Sequence, residues 1–114
     1  MNIKRITAIV PITCLTALER NLRSCGVPGV TVERVQGYGE HPNYFRRDLM
    51  QDNARLILFT EEDRVDEIVK AICECAYECG YSGLLAVEHI ERLLKLPNGE
   101  GVNSNDLTDT GAAL

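Results

Sequence analysis

Two stretches carry helical spacing, and their places in the chain constrain the fold more than any other feature. Leu15, Leu18, Leu22 and Cys25 recur every three or four residues, as do Val65, Ile68, Val69, Ile72, Ala76 and Cys79. Each set draws one apolar stripe along a helix. Thr13 is placed to cap the first helix, and Gly26 suits the left-handed position just past its end. Thr60 followed by Asp63 resembles a capping box opening the second, which Gly80 ends. Around these helices lie segments of strand character. Residues 2–10 alternate, with Ile3, Arg5 and Thr7 set against Lys4, Ile6 and Ala8, and Pro11 stops the strand. Val30, Thr31, Val32 and Val35 give β-branched character up to about Tyr38. Residues 55–60, RLILFT, form a third strand, and Leu84 to about Leu94 a fourth. The resulting order is β-α-β-β-α-β. That order predicts an α+β, ferredoxin-like fold: one antiparallel sheet with two helices on one face. The other face then needs cover, because Ile57 and Phe59 alternate onto it, and identical subunits would supply that cover.

Between strands two and three, residues 39–53, GEHPNYFRRDLMQDN, have no period and hold Gly, Pro, Asn and Asp. A loop of this length in a compact domain tends to be functional or disordered. After Pro97-Asn98-Gly99 the sequence loses pattern. The chain therefore divides into a domain of residues 1–100 and a flexible tail of residues 101–114.

Composition narrows the function. At 114 residues the chain has the length of one domain, and its 45% apolar and 25% charged residues are ordinary for a globular protein. The net charge of −5, with no long basic run, argues against nucleic acid or an anionic membrane surface as a partner. No apolar run approaches the roughly 20 residues of a spanning helix, so direct membrane insertion is not expected. The N-terminus lacks a small-residue cleavage site and reads as a strand, which places the protein in the cytoplasm. Five cysteines and no secretory signal predict reduced thiols.

Gly26 to Gly39, GVPGVTVERVQGYG, is the most specific stretch. It resembles the run that precedes the long T-loop in the PII signal-transduction proteins: Gly-x-x-Gly, a hydrophobic residue, Thr-Val, two residues, Val-x-Gly-aromatic-Gly. Glu62-Asp63-Arg64-Val65-Asp66 is similar to the opening of that family's second helix. Val87-Glu88-His89-Ile90 with Arg92 resembles its last strand. The resemblance runs from Ile3 to about Glu100 and includes the PII-like branches, looking most like the carboxysome-associated one. It implies a homotrimer with an adenine nucleotide in each cleft between subunits. It also implies a T-loop, here residues 39–53, that reports the bound ligand to a partner. The phosphate-binding run Thr-Gly-Arg-x-Gly-Asp-Gly-Lys of standard members is replaced by Cys79-Gly80-Tyr81-Ser82-Gly83, and the basic end of the last strand by Arg92-Leu93-Leu94-Lys95. Reduced phosphate machinery points to ADP or AMP as ligand, with bicarbonate as a candidate second anion. A bicarbonate transporter or a carboxysome-related protein would be the partner. No prosthetic group is implied.

The residues that would carry nucleotide binding on this resemblance are Thr31, Gly37, Tyr38, Gly39, Gly80, Gly83, Arg92 and Lys95. Bare main chain at Gly37 and Gly39 lets N–H groups approach phosphate oxygens. The bland alternative there is a strand-ending turn, and for Thr31 an ordinary strand residue. For Arg92 and Lys95 it is an edge guarded by charge. Gly39, His41, Arg46 and Arg47 are the T-loop candidates for bicarbonate or another anion, the guanidinium fork being suited to it. A solvated loop explains the same residues without function. Cys73, Cys75 and Cys79 are spaced so that only Cys75 and Cys79 share a helix face, so no metal set is expected. Neither histidine lies in a catalytic arrangement, and no enzymatic activity is expected. A slow nucleotide hydrolase ranks below a regulatory binding module. Other readings are a nitrogen-regulatory PII protein sensing ATP and ADP, and a nucleotide-free ferredoxin-like trimer of the metal-tolerance type.

Overall fold

The computed structural model describes residues 1–37 and 51–108. Strand β1 (Ile3–Pro11) leads through a 3-10 turn at Ile12–Cys14 into helix α1 (Leu15–Ser24). Strands β2 (Thr31–Gly37) and β3 (Gln51–Glu61) follow, then a 3-10 turn at Glu62–Arg64 and helix α2 (Val65–Cys79). Strand β4 is Leu84–Ile90. A two-residue pair, β5 (Leu94–Lys95) and β6 (Glu100–Gly101), and a 3-10 turn at Ser104–Leu107 complete the described chain. The main sheet has the order β2-β3-β1-β4, with every neighbouring pair antiparallel. This is the ferredoxin-like arrangement expected from the element order.

The period of two in β1 and β3 sorts the faces. Ile6 lies opposite Leu58, Ala8 opposite Leu56 and Val10 opposite Ala54. All six are buried, in one cluster with Leu18 and Leu22 of α1 and Ile68, Ile72 and Cys75 of α2. Leu18 and Leu22 of the first stripe and Ile68 and Ile72 of the second thus meet the sheet, whereas Cys79, expected on the second stripe, is exposed and Cys75 is buried in its place. Each such large side chain contributes roughly 1.5–3 kcal/mol by leaving water. Odd-numbered residues of the two central strands, Arg5, Thr7, Ile9, Arg55, Ile57 and Phe59, take the helix-free face. Arg5 holds Glu88 of β4 at 2.7 Å there, and Arg55 holds Glu33 of β2 at 2.8 Å.

Several boundaries differ from the sequence reading. Neither helix has the expected side-chain cap: the Thr13 hydroxyl lies against the Cys14 sulfur, and no side chain caps the 3-10 turn before α2. Thr60 is instead strand, buried, with its hydroxyl lacking a hydrogen-bond partner among the described residues. The glycine stops hold, with φ 81° at Gly26 and φ 71° at Gly80. Strand β3 begins at Gln51, so the expected loop 39–53 loses its last three residues to pairing with Val35, Gln36 and Gly37. Gln51, Asp52 and Asn53 are weak strand formers, and the partner strand overrides that preference. Strand β4 ends at Ile90 rather than near Leu94, because Ile90 pairs with Ile3, the first residue of β1, and no partner extends farther. The expected tail divides. Residues 100–107 hold β6 and a capped turn whose Leu107 is only 2% exposed, while residues 109–114 lie outside the described residues.

Candidate functional site

A groove of about 490 Å3 runs beside the β2 edge of the sheet. Its floor is Ile57 and Phe59 of β3, one wall is Gly29-Val30-Thr31, and the other is Leu93 to Leu96 with Val102 and Leu107. The floor is apolar because these side chains take the face that the helices leave bare. The second wall exists because the chain folds back after β4: the Gly99 N–H donates to the Lys95 carbonyl at 2.7 Å and the Val102 N–H to the Leu93 carbonyl at 3.0 Å. Gly99, at φ 73°, makes the reversal in a conformation that side chains disfavour.

Of the residues singled out in the sequence, Thr31 and Lys95 line this groove together. Thr31 is exposed at the start of β2. Lys95 already has a partner: its Nζ lies 3.2 Å from Asp106 Oδ2. Asp106 is shielded and tightly held. Its carboxylate accepts from the Asn103 N–H at 3.0 Å, and its own N–H donates to Asn103 Oδ1 at 3.2 Å, a reciprocal capping box. The Asn103 N–H, more than the Lys95 ammonium, holds the Asp106 carboxyl below its ordinary range. Ser104 anchors the same turn by donating to Glu61 at the end of β3. The sequence reading passed over Asp106. Its signal was present, since Asn103-x-x-Asp106 has capping-box spacing inside a stretch read as unpatterned.

The other candidates fall elsewhere. Gly37 ends β2, paired with Gln51. Gly80 is the left-handed cap of α2. Gly83 packs against β1, where an added Cβ would sit 2.2 Å from the Ile9 carbonyl oxygen. That contact gives Gly83 a packing role whatever ligand it meets. Both glycines adjoin β4, and Thr31 lies on β2, so the two groups occupy opposite edges of the sheet. Arg92 is exposed just past β4. Tyr38, Gly39, His41, Arg46 and Arg47 lie outside the described residues. Among the described residues, no group of three or more His, Cys, Asp or Glu is arranged to hold a metal ion. Among them too, no helix is long and apolar enough to cross a membrane.

The sheet order and the two helices on one face define the class: an α+β, ferredoxin-like domain with a lined groove at its edge. Comparison supplies the family. Residues 3–96 match the family model described as nitrogen regulatory protein P-II, and the chain belongs to that family of regulatory proteins. The nitrogen regulatory protein P-II of Pasteurella multocida is 28% identical over 105 residues, covering 85% of this chain and 94% of that one. The crystal structure of Arabidopsis thaliana PII bound to citrate superposes with a TM-score of 0.70 at 21% identity, covering 86% of this chain and 83% of that one. At that identity the likeness concerns the fold.

Proposed function

We propose that this protein is a non-enzymatic PII-type sensor that binds an adenine nucleotide, ADP or AMP, in clefts between the subunits of a homotrimer. The observation that carries this reading is the groove holding Thr31 and Lys95. Its apolar floor suits a purine ring, and its wall offers a hydroxyl and an ammonium. Gly80 and Gly83 lie at the opposite sheet edge, so a cleft containing both groups needs a second copy of the chain. The helix-free face supports such an assembly, since Ile57 and Phe59 are only half-buried and Leu84 is 42% exposed. Citrate, the ligand named for the Arabidopsis protein, is an anion, which is consistent with anion binding in this fold.

In this reading bicarbonate is the second ligand, bound by Arg46 and Arg47, and the residues from Gly39 onward signal a cytoplasmic partner concerned with inorganic carbon. Ordering a loop costs conformational entropy, which the anion's contacts offset. Calorimetric titration with ATP, ADP, AMP and cyclic AMP, each with and without bicarbonate, tests it. ADP or AMP should bind and raise the melting temperature by mass action. Indifference to all four nucleotides would end the reading, and unchanged affinities in Arg46→Ala and Arg47→Ala would remove those arginines from it. The name of the Pasteurella relative favours a second reading, a nitrogen-regulatory sensor of ATP and ADP. Adding 2-oxoglutarate with ATP to the same titration separates the two.

A further inference from the structure

Cys75 and Cys79 lie one turn apart at the end of α2, with their sulfurs 3.9 Å from each other. Cys75 is 1% exposed and Cys79 is open to solvent. The pair is therefore a thiol buried at its base and reachable from outside through its neighbour. The Tyr81 hydroxyl is buried near Cys75 and has no hydrogen-bond partner among the described residues.

Geometry selects what such a pair takes. A disulfide needs Cβ atoms about 3.5–4.5 Å apart, whereas residues four apart on a helix keep them at about 5–6 Å. A bridging ion suits the helix better. Two metal–thiolate bonds of about 2.3 Å each span up to about 4.6 Å, so sulfurs at 3.9 Å accommodate one ion in a bent bridge. Zinc needs four ligands in structural sites, and the described residues offer no larger Cys, His, Asp or Glu set here. Thiolates in a pair favour a soft ion.

We infer that Cys75 and Cys79 form a two-thiolate site for a soft monovalent cation of the Cu(I) type. Binding exchanges two S–H protons for one cation and involves no electron transfer. The site lies at the C-terminal end of α2, next to Gly80, and its ligands are the two sulfurs alone, so it is tested on nucleotide-free protein.

The test uses the full chain, reduced and anaerobic, competing for Cu(I) with the chromophoric chelator bicinchoninate. The wild type should withdraw one equivalent per chain. Cys79→Ser should weaken this at least tenfold, while Cys73→Ser, an exposed thiol two residues from Cys75, should leave it unchanged. Cys75→Ser should match Cys79→Ser, with circular dichroism to show that the helix survives. Cys79 is exposed, so its variant keeps the test sound if Cys75→Ser does not fold. No withdrawal by the wild type, full withdrawal by Cys79→Ser, or equal loss in Cys73→Ser would overturn the assignment.

Discussion

Lys95 and Asp106 meet 3.2 Å apart across the wall of the groove that also holds Thr31. The only lysine of the groove is thereby neutralised by the segment that closes it. An incoming anion competes with Asp106 for this ammonium. Asp106→Asn should therefore tighten binding of a nucleotide that uses Lys95, measured by calorimetry against the wild type.

The same carboxylate gives a pH dependence of known sign. Its folded-state value is depressed from 3.8, first by the Asn103 N–H and then by Lys95. Its stabilisation is therefore complete above the ordinary carboxylate range and is lost as pH falls through the depressed value. Melting temperatures measured from neutral pH down into the acid should fall less steeply in Asp106→Asn than in the wild type. Parallel acid limbs would show that the pair contributes nothing.

Gly83 and Gly80 should differ when replaced by alanine. At Gly83 the new Cβ meets the Ile9 carbonyl oxygen at 2.2 Å, so backbone must shift. Overpacking of this kind costs about 1–3 kcal/mol. At Gly80 nothing lies within 4 Å, and the cost is that of φ 71° alone, about 1–2 kcal/mol. Urea unfolding of both variants should show the larger loss at Gly83, and a fully stable Gly83→Ala would contradict the packing role.

Thr60→Val should stabilise the protein. The Thr60 hydroxyl is buried without a hydrogen-bond partner among the described residues, and valine keeps the shape while removing the desolvated group. The gain should be about 1 kcal/mol, read as a shift of the urea midpoint at constant slope.

Leu107→Ala tests whether the C-terminal turn belongs to the fold. Leu107 is 2% exposed yet lies outside the main core cluster, against the groove. Truncation should cost about 2–5 kcal/mol, far more than a mobile tail would register. Proteolysis after residue 100 should accelerate in parallel.

Much of the fold was legible because its determinants are local. The two helical stripes, the alternation in β1 and the glycine stops each follow from a few neighbouring residues, and their order selects the sheet topology. Strand limits were less legible, since they depend on partners. Polar Gln51-Asp52-Asn53 became strand by pairing with residues 35–37, and β4 stopped where β1 ran out.

The sequence alone determined which residues face the helices and which family the glycine-rich run resembles, because periodicity and motif are properties of adjacent positions. Tertiary structure decided that Thr31 and Lys95 share one groove and that Asp106 occupies Lys95. It also placed Gly83 under Ile9. Those contacts join residues some 11 to 74 positions apart, and only closure of the sheet and the chain reversal at Gly99 bring them within reach.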